Sequence, residues 1–235
     1  MILPIVAYGA TVLRKVCKPI EANYEGLAKL IEDMWETMYE SNGVGLAAPQ
    51  INRDIRLFVM DSAQIFANSE PEDEAYSDAP GIKRAFINPQ ILETGGKEWI
   101  YNEGCLSIPK IREDVSRPES VTLSYMDEQF KEQAETFHGI TARIIMHEYD
   151  HIEGKLFIDY IKPLKKKMLQ GKLNDISKGK MRVDYKMTLG SRHHVEKVQN
   201  IFASGTGADR QLRVFNETGS LVEVVKYIEQ SFLAE

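Results

Sequence analysis

The pentapeptide His-Glu-Tyr-Asp-His, which begins at His147, has residue types and spacing typical of a metal site on a helix. Residues four apart share one face of a helix, so His147 and His151 can reach the same ion. Glu148 follows the first ligand and can take a proton from a water whose pKa the metal lowers. The alternative is a solvated helix with this spacing by chance. Ile140 and Ile144 precede the pair on the same face, which indicates that the histidines point inward.

A catalytic metal site usually has a third protein ligand and an open position for water. One branch of zincin proteases extends the motif as HExxHxxGxxH, and this chain matches it as far as Gly154. The next required position is Phe157, which cannot bind a metal. Another branch uses a glutamate on a following helix, but the next glutamate beyond the motif helix is Glu196. Asp159 and Asp175 remain formal candidates, so a downstream ligand is poorly supported.

Upstream, Cys105 is a better candidate for the third ligand. It lies at the end of a predicted strand, directly after Gly104. A thiolate is a strong ligand for iron, zinc or cobalt, and the metal ionises it. For a cysteine taken alone, a small buried hydrophobic residue is the alternative. The neighbouring glycine and the histidine pair favour metal binding.

Hydrophobic periodicity predicts the elements that position these residues. Residues 24–40 predict an amphipathic helix, and residues 140–153 predict the helix that carries both histidines. Residues 43–50 read as a glycine-bearing loop and residues 62–84 as an exposed acidic loop. Strands are predicted at 55–61, 85–93, 97–109, 120–127 and 130–137. Strands followed by a helix, without regular alternation, predict an α+β fold.

Composition narrows the class of protein. The chain has 235 residues, 43% of them hydrophobic and 27% charged, as in soluble globular proteins. A net charge of -6 argues against a general nucleic-acid-binding function. Two cysteines do not make a disulfide framework, no segment is apolar for long enough to span a membrane, and the N-terminus lacks signal-peptide features. We expect a cytoplasmic protein with no membrane partner.

The C-terminal part of the chain contains a basic segment and a tail of different character. Residues 162–182 are rich in lysine and predict one further helix, whose charges face either solvent or an anionic partner. Beyond Tyr185, residues 188–194 are linker-like. A strand at 211–216 and an amphipathic helix at 220–233 are expected in the tail.

Three segments resemble the signature motifs of peptide deformylases, in the order that the family has them: GVGLAAPQ from Gly43, EGCLSIP from Glu103 and HEYDH from His147. The resemblance covers residues 1–187 and implies a catalytic domain there, with residues 188–235 as an extension of unknown origin and role. It implies antiparallel sheets packed around a central HExxH helix. The implied activity is metal-dependent removal of the formyl group from the N-terminal formyl-methionine of nascent polypeptides, with release of formate.

The resemblance also implies the roles of the motif residues. One divalent metal ion is bound by three ligands and a water, the ligands being Cys105, His147 and His151. Glu148 is the general acid and base. The Gln50 side-chain amide and the Leu106 backbone N–H hold the developing oxyanion. Fe(II) is expected as the native ion because family members commonly work best with it, and Zn, Ni or Co also fit the donor set.

Substrate binding is expected along the first and second motifs. Gly45 lacks a side chain and allows a peptide to approach the backbone of Val44, Gly45 and Leu46, which pairs with the substrate in the family. The candidates for the methionine pocket are Val44, Tyr101, Glu103, Ile140 and Ile144. Gly104 and Arg112 complete the predicted substrate-binding set. Ordinary core packing is the alternative for the pocket residues, and a surface role is the alternative for Arg112.

Two other functions stay open from the residues alone. A zincin-type metalloprotease is disfavoured by the missing downstream ligand. A noncatalytic structural zinc module would need a fourth protein ligand, for which His138 is the nearest spare candidate. In addition, the resemblance implies a possible ribosome contact through residues 162–182, because the C-terminal helix of the family can dock near the nascent-chain exit.

Overall fold

The computed structural model describes residues 1–67 and 80–189 and the strand residues 200–204, 211–215 and 221–226. The chain divides into two compact units, Met1–Gly190 and Ser191–Glu235. A boundary after Met187, as predicted, would cut within a two-residue strand of the first unit. The middle of the predicted acidic loop, residues 68–79, lies outside the described residues, as do most of the linker-like residues, 190–194.

The described part of the first unit contains seven strands: β1 (Ile5–Val6), β2 (Gly45–Ala47), β3 (Leu57–Asp61), β4 (Lys83–Cys105), β5 (Ile108–Met126), β6 (Glu132–His138) and β7 (Met187–Thr188). Strands β2 to β6 form one antiparallel sheet in sequence order, so β2 is an edge strand. β1 and β7 pair in parallel. All five residues of β3 are buried, whereas β5 alternates buried and exposed residues between Ile111 and Arg117, as expected for a strand with one solvated face.

Four α-helices belong to the described part of this unit: α1 (Leu27–Glu40), α2 (Ala63–Phe66), α3 (Gly139–Ile152) and α4 (Pro163–Ser177). α1 buries Leu27, Ile31, Met34 and Met38, which repeat at three- and four-residue steps as predicted. α3 carries the HExxH motif and is buried on most of its surface. It packs against β2, β3, β5 and β6. A helix enclosed in this way holds its side chains rigidly.

Within the first unit the structure corrects three of the predicted elements. Residues 97–109 are not one strand, because the chain reverses at Leu106–Ser107, between β4 and β5. The predicted loop at 43–50 contains strand β2 and a 3-10 turn at Ala48–Ile51. The basic segment 162–182 is helical only as far as Ser177. Tertiary pairing decides the first two cases, whereas α4 is ended locally by Gly179, which has a φ of 70°.

The described residues of the second unit form a three-stranded antiparallel sheet in the order β10-β9-β8, made of β8 (Asn200–Ser204), β9 (Gln211–Phe215) and β10 (Leu221–Lys226). The strand predicted at 211–216 corresponds to β9. The helix predicted at 220–233 is wrong over the described residues, because β10 is a strand paired with β9. Short apolar runs are ambiguous between helix and strand, and pairing with a neighbouring strand decides here.

Helices and an antiparallel sheet thus make up the first unit, which confirms the α+β class. One core cluster contains residues of the sheet and of α3, and an aromatic group around Phe86 forms its sheet side. The Phe86 ring lies 4.8 Å from the ring of Phe58 and 4.6 Å from that of Tyr125, measured between centroids. Among the described residues, no helix is long and apolar enough to cross a membrane.

Replacing Phe86 by alanine is expected to lower the free energy of unfolding by about 3–5 kcal/mol, because the substitution removes a fully buried ring and leaves a cavity. Urea denaturation measures the change. Leu92→Ala is the matched control, since that side chain is 58% exposed, and its effect should stay within about 0.5 kcal/mol. Equal losses for the two variants would contradict the assigned core.

Candidate metal centre and active site

An open cleft of about 590 Å³ lies between the first and second motifs and α3. Its walls come from the segment that leads into β2, from the ends of β4 and β5, from one face of α3 and from the segment after α4. Cys105, His147 and Glu148 all line it. The three motifs, distant in sequence, therefore meet in one concave site, the usual setting for a small-molecule or peptide substrate.

Cys105, His147 and His151 bring a sulfur and two imidazoles together. One ligand atom from each lies within 4.8 Å of the others. The Cys105 Sγ is 3.2 Å from Nε2 of His151. Nδ1 of His147 is hydrogen-bonded to Glu103 Oε2 at 2.9 Å, which leaves Nε2 of His147 as the nitrogen for a cation. This donor set fits a divalent transition-metal ion.

Glu103 is the centre of a buried ionic network. Its carboxylate accepts hydrogen bonds from Arg117 at 2.7 and 3.0 Å and from Arg143 at 3.0 Å. Arg117 also donates to Asp150 at 2.7 Å. Burial alone would raise the pKa of Glu103, but the hydrogen bonds from His147 and Arg117 lower it, so the carboxylate is ionised. Glu103 thus orients His147, and its predicted place in the methionine pocket stays a prediction.

Glu148 is buried, and its Oε2 has no hydrogen-bond partner among the described residues. Burial raises the pKa of Glu148 to about 7, which suits a group that must both accept and release a proton near neutral pH. The side chain lies against Gly45 on β2. A Cβ built on Gly45 would be 2.4 Å from Glu148 Oε1 and 2.7 Å from its Cδ. Position 45 must therefore be a glycine to leave space for the Glu148 carboxylate. The reason expected from the sequence was different, namely the close approach of a peptide substrate to the backbone.

Gln50 is buried in the 3-10 turn after β2, and its amide has only one possible orientation. The backbone N–H of Ala47 donates to Gln50 Oε1 at 2.8 Å, which identifies this atom as the oxygen. The amide nitrogen therefore points the other way, 3.5 Å from Cys105 Sγ and 3.4 Å from Ser107 Oγ. A donor is thus directed at the metal-binding side of the cleft.

Most residues of the predicted substrate-binding set line the cleft: Val44, Gly45, Tyr101, Glu103, Gly104, Arg112, Ile140 and Ile144. Leu46 is not among them, since its side chain is fully buried in the core cluster behind β2. Arg112 is exposed and donates to the Asn102 side chain at 2.9 Å. A Cβ on Gly104 would lie 2.9 Å from Arg112 Nη1, so this glycine makes room for the arginine.

Several functional residues were not predicted from the sequence. Arg117, Arg143 and Asp150 are buried partners of the Glu103 network. Asp150 lies inside the HEYDH motif, and its place on the helix was the only local signal. Tyr185 lines the cleft together with Val183 and Asp184, although it follows α4 by several residues and lies outside any helix or strand. No pattern in the sequence pointed to these groups, because their partners are distant along the chain.

Comparison with known proteins identifies the family. The sequence model described as polypeptide deformylase matches residues 2–167. The chain belongs to the polypeptide deformylase family. It is 52% identical over 188 residues to the peptide deformylase of Christiangramia forsetii, covering 80% of this chain and 95% of that protein. It is 49% identical over 189 residues to that of Flavobacterium psychrophilum, covering 80% and 97%.

Solved structures of the family share the fold. A crystal structure of a peptide deformylase from Legionella pneumophila matches with a TM-score of 0.65 and 37% identity, over 77% of this chain and 99% of that one. The deformylase from Synechococcus elongatus, solved in complex with actinonin, matches with a TM-score of 0.61 and 34% identity, over 76% and 87%. The family predicted from the three motifs is confirmed.

Family membership also bears out the predicted reaction, removal of the N-formyl group from nascent polypeptides by a hydrolase. The family uses a divalent metal ion, and the group formed by Cys105, His147 and His151 can hold one. Neither alternative function receives support. The metal-ligand group found among the described residues has three members, so a closed four-ligand zinc site is not formed there. Asp159, a formal zincin ligand, is paired with Arg14 and Lys166.

Replacing Gly45 by alanine is expected to lower kcat/KM for formyl-Met-Ala-Ser by about 100-fold, because the new methyl group displaces the Glu148 carboxylate by a substantial fraction of an ångström. Formate release measures the rate. Gly171→Ala is the control, since a Cβ at that helical position meets nothing within 4 Å. Full activity in Gly45→Ala would show that the carboxylate does not need this position.

Proposed function

We propose that the chain hydrolyses the formyl amide of N-formyl-methionyl peptides and nascent chains with the residues gathered in this cleft. The observation that carries the proposal is the convergence of a thiol, two imidazoles and a buried carboxylate beside an open cleft. One oxygen of that carboxylate has no hydrogen-bond partner among the described residues. Three protein ligands would leave room for water on a bound cation, as a hydrolytic site requires. The sheet packed on α3 forms the framework around a central HExxH helix.

The proposed metal ligands are Cys105, His147 and His151. When bound there, a divalent cation supplies Lewis-acid chemistry, lowering the pKa of water and polarising the formyl carbonyl. Glu103 holds His147 in the tautomer that presents Nε2, and the Gln50 amide approaches the sulfur. We propose Fe(II) as the native ion. Zn, Ni and Co are alternatives, because one sulfur and two nitrogens suit all of them.

Glu148 is proposed as the general base and then the general acid. Its buried carboxylate takes a proton from the attacking water as oxygen adds to the formyl carbon. The carboxylate then passes this proton to the departing amine, so that formate and a free N-terminus are formed. The pKa of about 7 makes both transfers accessible at neutral pH.

Two donors are proposed for the oxyanion that develops on the formyl oxygen. The Gln50 amide nitrogen is directed toward the metal-binding side of the cleft because the amide oxygen accepts a hydrogen bond from the Ala47 backbone N–H. The second donor is the backbone N–H of Leu106, in the turn immediately after Cys105. Donors placed in advance in this way are each worth a few kcal/mol to the transition state.

The substrate is proposed to lie along the edge strand β2. An edge strand leaves backbone groups available to an extended peptide, and the segment Val44–Leu46 adjoins the cleft. Val44, Ile140 and Ile144 provide apolar surface for the unbranched methionine side chain, with Tyr101 beside them. Gly104 and Arg112 also line the cleft, and the substrate backbone is proposed to pass along them. Residues 1–187 thus hold all proposed site residues, and the tail from 188 to 235 has no assigned role.

Substituting Glu148 by glutamine is expected to lower kcat at least 1,000-fold while metal content stays at wild-type level, because the amide cannot accept the proton. Release of formate from formyl-Met-Ala-Ser measures kcat, and anaerobic elemental analysis measures the metal. Cys105→Ala is the comparison, expected to lose metal and activity together. Unchanged turnover in Glu148→Gln would remove this residue from the mechanism, and internal cleavage of the peptide would indicate a protease.

A contact with the ribosome through the basic segment 162–182 is proposed as well, and with it a location in the cytoplasm, where chains are synthesised. Lys165 is paired with Glu113 and Lys166 with Asp159. Lys167 and Lys172 are exposed on α4, and no ion pair of theirs is found among the described residues. These two side chains can therefore meet an anionic surface without breaking contacts within the protein.

Replacing Lys167 and Lys172 together by glutamate is expected to weaken ribosome binding at least 10-fold at low salt, because two favourable charges become unfavourable. Cosedimentation with ribosomes measures the binding. The control exchanges two exposed lysines outside α4, Lys97 and Lys131, in the same way, so net charge is matched. Equal weakening by both pairs would indicate a general charge effect and not a site on α4.

A further inference from the structure

Tyr185 lies beyond the residues that match the family model, yet it lines the cleft. Its hydroxyl donates a hydrogen bond of 2.6 Å to the backbone oxygen of Leu106. Leu106 is the first residue of the two-residue turn that joins β4 to β5, and Cys105 immediately precedes it. A side chain from the C-terminal segment thus contacts the turn that carries both a proposed metal ligand and a proposed oxyanion donor.

The turn Leu106–Ser107 is also held from two other directions. The backbone N–H of Tyr8 donates to the oxygen of Ser107 at 2.8 Å, and the Gln50 amide nitrogen lies 3.4 Å from Ser107 Oγ. Both of these contacts are made to Ser107. The Tyr185 hydroxyl is the hydrogen-bond donor found for the carbonyl of Leu106 among the described residues, so it restrains the half of the turn that faces the cleft.

The chain around Tyr185 is itself anchored to the N-terminal segment. Ile5 N–H donates to the oxygen of Lys186, and Ala7 N–H donates to that of Thr188, each at 2.8 Å, on either side of the parallel pair β1–β7. The Tyr185 ring packs against the core cluster that contains α1 and β2. A rigid donor on a fixed backbone can hold the turn with little loss of entropy.

We propose that Tyr185 is a positioning residue for deformylation, which fixes the Leu106–Ser107 turn so that the Leu106 N–H stays directed at the formyl oxygen. This inference rests on the proposed function, because it presumes that the Leu106 N–H stabilises the oxyanion. A donor that drifts by a fraction of an ångström loses transition-state stabilisation but not the binding of the peptide along β2. The segment after α4 then belongs to the catalytic machinery.

The test substitutes phenylalanine for Tyr185 in the full chain, which removes the hydroxyl and keeps the ring. We expect kcat for formyl-Met-Ala-Ser to fall about 10-fold, with KM within about two-fold and with metal content and melting temperature as in the wild type. Tyr125→Phe is the matched control. It removes a tyrosine hydroxyl bonded to Glu135, outside the lining of the cleft, and kcat should stay unchanged.

Hydrogen–deuterium exchange, followed by mass spectrometry of peptides that cover residues 103–109, provides a readout independent of turnover. We expect faster exchange there in Tyr185→Phe and wild-type exchange in Tyr125→Phe. Unchanged exchange in Tyr185→Phe would overturn the claim that Tyr185 restrains the turn. Failure of the proposed function is a different result, in which the wild-type enzyme releases no formate. Unchanged kcat, or a loss of kcat that follows a loss of metal, would overturn the positioning role.

Discussion

The buried carboxylate of Glu103 is the constraint on which the site depends. It joins β4, which carries Glu103, to Arg117 on β5 and to His147 and Arg143 on α3. A charge with this degree of burial is stable only with several partners, and removal of one partner from a buried ion pair typically costs about 3–5 kcal/mol. The same contacts that satisfy the carboxylate also fix the distance between the helix and the strand. The proposed metal ligands, which lie on two different elements, can then keep a common geometry.

Close approach between α3 and the edge strand β2 is the second requirement. The Glu148 side chain occupies the space that a Cβ on Gly45 would fill, so backbone and carboxylate are in direct contact. Gly104 likewise leaves space for the side chain of Arg112 on the adjacent strand. Small residues thus let charged groups reach the cleft from both sides. The Glu148 carboxylate is buried in this position, and burial raises its pKa to about 7.

Predictions from local pattern were accurate where one segment carries its own signal. The helices α1 and α3 lie close to the predicted ranges because amphipathic spacing is a property of a single segment. The strand predicted at 97–109 was wrong, since we found no turn signal within it for the chain reversal at Leu106–Ser107. The helix predicted at 220–233 was wrong at β10, because pairing with β9 is not visible in a single apolar run.

The sequence by itself determined the chemistry: two histidines four residues apart with a glutamate between them, a cysteine after a glycine, and three motifs that identify the family. Residue type and helical spacing decide which atoms can bind a metal, and both are local. Only the tertiary structure decided that Glu103 orients His147, that Gly45 is required by Glu148, and that Tyr185 meets Leu106. Each of these contacts joins residues more than 40 positions apart in the chain, and their proximity follows from packing of the folded sheet and helices.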